Sequence, residues 1–443
     1  MPVPYNKVEC NKELHQRLNH WLDTFFPEHI TLTRSDQKND NWRKYFKGTP
    51  RFEMTGKLAA VNDGSKADPL TGRQHGGVYP YIQFGMYEGQ EKFTNPRDAG
   101  YNFADRLVQI LDVQGQTEIG SVQQHRVTVN SDELLSMPPK VQADIIRVAA
   151  EEGRHLYQVI WMLDSQRDNW TWTGHASNPG EETVDKLLNI QMGEYRLEAF
   201  NIKWGNILDA GVYMCLIDLV GKYQLEMQTF SSYLPMSRSM ACMLDEEFFH
   251  TGTGRGMFFS YIEQGAKENG RYSLNDVQRT FNLWFAYALE MFGDIRGGET
   301  NITLGIKAKT NRQAQEEYLH EVRTQVVRSA NRRIAQIREP KSDPSKVNLG
   351  EDTFYLPDTK FFRRQGIEEI FEPYDVHGNR MNLSPDEYFK YLTTVLPEYY
   401  GVSDDFERYK SHYRDVWKDG SKHVQRHFEF PEAEGAGGAA PMK

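Results

Sequence analysis

Two four-residue words lie on apolar stretches of this chain, Glu152-Gly153-Arg154-His155 and Glu247-Phe248-Phe249-His250. A three-residue step sets a carboxylate and an imidazole side by side on one face of a helix. Each word also has an acid about one long helix upstream, Glu118 before the first and Asp218 before the second. Charged groups in apolar helices constrain the fold more than any other feature here. Left without partners in a protein interior, each would cost several kcal/mol. Four helices that turn these groups towards one another, with cations between them, remove that cost.

Composition narrows the class. The chain has 443 residues and a net charge of -10, which argues against a protein that coats nucleic acid. Local basic segments could still bind a phosphate-bearing ligand. Its cysteines, Cys10, Cys215 and Cys242, show no metal spacing and fit a reducing cytosol better than a disulfide scaffold. The opening MPVPYNKVECNKELHQ lacks the apolar core of a signal segment. No run approaches the roughly 18 apolar residues that a membrane helix needs. The expectation is a cytoplasmic protein that engages neither membrane nor nucleic acid.

Residues 1–97 are expected to be loop-rich and packed on a helical core, with a short helix near 9–25 and irregular structure over Gly48–Asn95. Long helices follow in a domain spanning 98–338. Phe103, Leu107, Ile110, Leu111 and Gln114 lead to Glu118. Pro138-Pro139 opens the next helix, where proline is tolerated. Its inner face runs Ile145, Val148, Glu152, His155 and Val159 in steps of three and four. A polar, Trp-rich connection (Asp168–Glu182) joins the two halves. Further helices are predicted at 204–230, from Pro235 onwards, at 273–295 and at 311–338. Arg338–Leu349 resembles an exposed linker. A mixed C-terminal extension covers 339–431, and the tail 432–443 is expected to be disordered.

Glu-x-x-His is a common word, and a third copy stands at Glu317-Tyr318-Leu319-His320. All three are preceded by a further glutamate. Context separates them. The first two lie in RVAAEEGRHLYQVIWML and ACMLDEEFFHTGTGRGMFF, apolar around their charges. The third lies in NRQAQEEYLHEVRTQVV, polar on nearly every face, where a solvated helix with ion pairs explains it. For the first two, a polar network buried between helices is the alternative to metal. Carboxylates bridge and neutralise two cations, and imidazole suits iron. The fold class expected is therefore mainly α, a ferritin-like four-helix bundle with a di-metal core, an irregular N-terminal segment and a mixed C-terminal extension. Glu152 and Glu247 would bridge, Glu118 and Asp218 would be terminal, and His155 and His250 would each bind one ion.

The words around these residues resemble the oxygenase component of the benzoyl-CoA 2,3-epoxidase family. They include Gln114-Gly115-Gln116-Thr117-Glu118, Ser121-Val122-Gln123-Gln124-His125-Arg126 and Glu151-Glu152-Gly153-Arg154-His155-Leu156. Asp218 with Gly221-Lys222-Tyr223-Gln224-Leu225, and Met243-Leu244-Asp245-Glu246-Glu247 before His250, continue the likeness. Leu356-Pro357, Phe362-Arg363-Arg364-Gln365-Gly366 and Asp375-Val376-His377 extend it into the tail. The resemblance implies the same six ligands, two iron ions and a di-iron monooxygenase that epoxidises or hydroxylates an aromatic ring. It further implies dioxygen and an aromatic acyl-CoA such as benzoyl-CoA as substrates, with a separate NADPH-dependent flavin/iron–sulfur reductase as partner. The protein would be a monomer or a homodimer. A free aromatic acid or an amine is the alternative substrate.

Other residues have two readings each. Gln114, one turn before Glu118, would hydrogen-bond a ligand carboxylate or bound oxygen as a catalytic residue, or simply line the bundle. Gly252, Gly254 and Gly256 leave room for substrate or for close helix packing. Lys307, Lys309, Arg312, Arg363 and Arg364 suit the phosphates of coenzyme A or ordinary surface. Trp161, Trp170, Trp172 and Trp204 fit a core better than a pocket, and Cys215 fits a small core residue. A ribonucleotide reductase subunit is disfavoured, because Val159 stands where that resemblance implies a radical tyrosine and Tyr157 is misplaced. Iron storage is disfavoured by the long extension.

Overall fold

The computed structural model describes residues 80–129, 131–165, 179–190, 193–202, 204–293, 298–359, 373, 375–376 and 379–395. The expected helix at 9–25, most of Gly48–Asn95, Trp170, Trp172, Arg363, Arg364 and the tail lie outside these residues, as do the side chains of Tyr157, Trp161 and Cys242.

The described residues are mainly helical: α1 (Tyr101–Val129), α2 (Asp132–Ser136), α3 (Pro139–Ser165), α4 (Pro179–Asn189), α5 (Ile207–Gln228), α6 (Leu234–Ala266), α7 (Leu274–Met291), α8 (Glu299–Thr303), α9 (Asn311–Glu321), α10 (Arg328–Arg338) and α11 (Pro385–Val395). A π-helical segment, Val322–Val327, joins α9 to α10. Among the described residues there is no strand, only isolated bridges such as Tyr81 with Glu91. No helix of the described residues is long and apolar enough to cross a membrane.

Two compact units divide these elements. The first runs to Ala210 and adds Asp218–Thr253 and a segment ending at Ala314; the second takes Gly211–Ile217, a segment from Gly254 and the chain from Gln315 onwards. The first unit holds the ferritin-like bundle. Its α1 packs along α3, and α4 lies against both. Glycines allow close approach: a Cβ on Gly120 would fall 2.4 Å from the Phe200 ring, and one on Gly115 would fall 2.5 Å from Leu187.

Helix α5 is apolar on every side, and such helices are buried. Between Asp209 and Lys222 its only charged residue is Asp218. Asn206 caps α5 by accepting from the Leu208 and Asp209 amides, and the Asp209 side chain completes a capping box. That cap fixes where the helix begins, and so where Asp218 lands. The segment 80–97 is irregular and tied to the turn before α6. Phe93 donates its amide to Ser232 O (2.8 Å) and accepts from Leu234 (2.8 Å). Tyr87, Phe93 and Phe103 pack edge to face beside it.

In the second unit the core is aromatic. Phe281 stacks on Phe285 and meets Phe258 and Phe354. Asn331 holds the chain at Phe354 by exchanging two hydrogen bonds with its backbone. Arg338 pairs with Asp352 (2.7 Å) and Glu268 (3.2 Å), so the exposed linker is folded back against its own unit.

Candidate metal centre

Four helices deliver the six residues singled out in the sequence. On α1 the stripe Leu107, Leu111, Glu118 and Val122 is buried, and it carries Glu118 inward. On α3, Glu152 and His155 fall between Val148 and Val159. Asp218 comes from α5, and Glu247 and His250 from α6. None of the six is more than 5% exposed.

The two imidazoles lie 5.5 Å apart, centroid to centroid. His155 Nδ1 is 3.4 Å from Glu118 Oε2, 3.7 Å from Glu152 Oε2 and 3.8 Å from Glu247 Oε1. His250 Nδ1 is 3.2 Å from Glu152 Oε1 and 3.5 Å from Glu247 Oε2. Glu152 and Glu247 thus each divide their two oxygens between the two imidazoles. Glu118 faces only His155. Two triads, Glu118–Glu152–His155 and Glu152–Glu247–His250, bring their ligand atoms within 4.8 Å of one another. Asp218 forms a third triad, with Glu152 and His125.

The donor set fits a pair of cations. Nδ1 of both histidines, Oδ2 of Asp218 and Oε2 of Glu247 are buried without a hydrogen-bond partner. Buried polar atoms are rarely left so, and an ion among them would satisfy all four.

The outer nitrogens show how the histidines are aimed. His155 Nε2 donates to Glu246 Oε2 (3.0 Å), and His250 Nε2 donates to Glu151 Oε2 (3.2 Å). A proton on Nε2 leaves the Nδ1 lone pair facing the carboxylates, the state a metal ligand needs. The bonds are crossed: the extra glutamate of each word buttresses the histidine of the other. Glu151 is held in turn by Arg147 Nε (2.9 Å), whose guanidinium lies 3.6 Å from the Phe249 ring centre. Sequence reasoning noted the doubled glutamates and gave them no role. Their repetition before both buried words was the signal available.

Burial and mutual charge set the protonation of the cluster's own side chains. Burial pushes Glu118 up to about 7, against the pull of His155. Asp218 is pushed well up by burial and by the charges of Glu247 and Glu152. Glu247 is raised by burial as well. Burial would also raise Glu152, but the imidazoles of His155 and His250 beside it outweigh that effect and hold this carboxyl well below the usual range. Burial works against the charged form of His155, yet Glu118 and Glu152 hold it up at about 9. His250 is raised in the same way, burial being overcome by Glu247 and its neighbours. Burial brings His125 down to about 4. Protons therefore occupy part of the place that cations would take.

The remaining residues divide. Gln114 donates from Nε2 to Glu118 Oε1 and accepts from Gln228 (3.3 Å), so it touches a carboxylate of the cluster. Gly221 lies beside the Glu247 carboxylate, where a Cβ would sit at ordinary contact distance, 3.4 Å from Oε1. Gly254 serves packing: its Cβ would fall 2.4 Å from the backbone of Met214 and Cys215. Gly252 and Gly256 face open space. Lys307 donates to Gln224 Oε1 (2.7 Å), Lys309 lies 3.8 Å from Glu226, and Arg312 is exposed. Trp204 and Cys215 are buried core residues. In the third word, Glu317 and His320 are exposed on α9.

Residues 175–342 match the family model of phenylacetic acid catabolic proteins, a span that includes Asp218, Glu247 and His250. Over 231 residues the chain is 28% identical to benzoyl-CoA oxygenase component B of Aromatoleum evansii, covering 48% of this chain. It spans 45% of that relative's length. Over residues 175–342 the chain is thus similar to the phenylacetic acid catabolic proteins, and over about half of its length to a benzoyl-CoA oxygenase component.

Proposed function

We propose that this chain is the oxygenase component of a two-component di-iron monooxygenase that acts on an aryl-CoA thioester such as benzoyl-CoA. One observation carries the reading most. Glu152 and Glu247 each share their oxygens between two imidazoles whose inward Nδ1 atoms lack hydrogen-bond partners. That is the disposition of carboxylates that bridge two ions. Glu118 and His155 would complete one position, and Asp218 and His250 the other.

When bound, the iron pair supplies the redox chemistry of dioxygen, which is reduced with two electrons that a reductase draws from NADPH. One oxygen atom enters the ring as an epoxide or hydroxyl group; the other leaves as water with two protons. The chain's own residues do the rest. The Glu246 and Glu151 carboxylates keep the imidazoles in the ligating tautomer. Gln114, bonded to Glu118, orients that carboxylate and offers an amide next to it as the catalytic residue. The apolar walls of α1, α3, α5 and α6 exclude water. A thioester carbonyl would withdraw electron density from the ring and anchor it. The similarity to a benzoyl-CoA oxygenase component supports this substrate class.

The test is reconstitution with Fe(II), a reductase, NADPH and benzoyl-CoA, following dioxygen uptake and product mass. The expected product is one oxygen atom heavier than the substrate. Turnover of a free aromatic acid or an amine, but of no thioester, would replace the substrate class. Absence of iron binding would overturn the reading altogether.

A further inference from the structure

We propose that His125 is a seventh protein ligand, bound to the ion that Asp218 and Glu152 hold. This rests on the di-metal reading above. His125 lies seven residues after Glu118 on α1, two turns along the same face. It is fully buried. Its ring nitrogen, a Glu152 oxygen and an Asp218 oxygen lie within 4.8 Å of one another. Two ligand atoms bonded to one ion at roughly 2.1 Å each can stand up to about 4.2 Å apart. The triad is therefore at ligand spacing, or no more than about 0.6 Å beyond it. Trp204 sets its ring edge to face against the imidazole, with centroids 5.0 Å apart. Gln124, next along the helix, donates to Ala199 O (2.8 Å) and pins this stretch of α1.

The consequence is an asymmetric centre. Apart from the shared Glu152 and Glu247, the Glu118 position has one carboxylate and one imidazole. The Asp218 position has one carboxylate and two imidazoles. The added nitrogen donor favours the divalent first-row metals that bind imidazole well. It also leaves fewer positions there for exogenous ligands, so the Glu118 position is the more open of the two.

The experiment is pulsed EPR on the iron-loaded full chain, poised in the mixed-valent state, with histidine labelled by 15N. Three directly coordinated imidazole nitrogens are expected in the wild-type protein and two in His125→Gln. His125→Gln should also bind its weaker Fe(II) about 10- to 100-fold less tightly. Two irons with only two coordinated imidazoles in the wild-type protein would overturn the proposal while leaving the di-metal reading standing. No iron pair at all would bring down both. The wild-type count decides the matter even if the variant does not fold.

Discussion

The two buried Glu-Glu-x-x-His words and the third copy on α9 have the same pattern of charged residues and different fates. In α3 and α6 the glutamates and histidines are buried, and their side chains converge. In α9, Glu316, Glu317 and His320 are exposed, and only Tyr318 of that word is buried. The motif alone does not make a site. What makes one is a helix apolar enough to draw the charges inside, together with opposing helices that supply complementary ones. Inside, an unneutralised charge is costly; outside, water neutralises it.

The strongest way to break this comparison is to remove charged groups of one word in each region. Glu247→Ala should abolish binding of both irons, because Glu247 serves both positions. Glu317→Ala with His320→Ala should leave iron content unchanged and stability within about 0.5 kcal/mol, as for ordinary surface changes. Metal analysis and thermal unfolding distinguish these outcomes. Equal iron loss in both variants would refute the distinction.

The crossed buttresses come next. Glu246→Gln should weaken Fe(II) binding about 10- to 100-fold through His155, and Glu151→Gln should do so through His250. A double-mutant cycle between Glu246 and His155 should show strong coupling, and one between Glu246 and His250 much less. Fe(II) titration by calorimetry reads both.

Protonation sharpens the contrast further. The folded pKa of Glu118 is raised to about 7, so its neutral form favours the folded metal-free protein. The stability this confers is complete below its unfolded value near 4.5 and is lost as pH rises through 7. The loss is on the order of 3 kcal/mol at most. Glu118→Gln should flatten this part of the pH profile in chemical denaturation. Iron reverses the sign. Binding must expel protons from Glu118 and from His155, which is held near 9, so affinity should climb as pH rises through 7 towards 9.

The smallest expected effects belong to the glycines after His250. Gly254→Ala should destabilise by about 1–3 kcal/mol, since its methyl would meet the backbone of Met214 and Cys215. Gly252→Ala, facing open space, should be neutral or gain up to roughly 1 kcal/mol from helix propensity. Of the two variants, only Gly254→Ala should therefore move its unfolding curve towards lower stability.

Much of this was legible because burial and helical period both leave marks in a sequence. Glu118, Glu152, His155, Asp218, Glu247 and His250 stand out as charges on apolar stripes, and the structure brings them together. Pro139 opens α3 where expected, and α5 and α6 begin within a few residues of the predicted starts. Pairing across the bundle was not legible. The partners His155 and Glu246 are 91 positions apart, and His250 and Glu151 are 99 apart. No local pattern says which glutamate serves which histidine. His125 shares the period of Glu118 but carries no carboxylate beside it, so nothing in the local pattern marks it. Helix 311–338 appears continuous in sequence, yet Val322–Val327 adopts a π-helical turn that buries Val322, Val326 and Val327 together.

The most direct test of the central claim is Mössbauer spectroscopy of the full chain loaded anaerobically with isotopically enriched Fe(II) and then oxidised. Two irons per chain in a spin-coupled diferric pair are expected, and they should be lost in Glu247→Ala. A protein that takes up no iron, or binds iron as magnetically isolated single ions, would contradict the account.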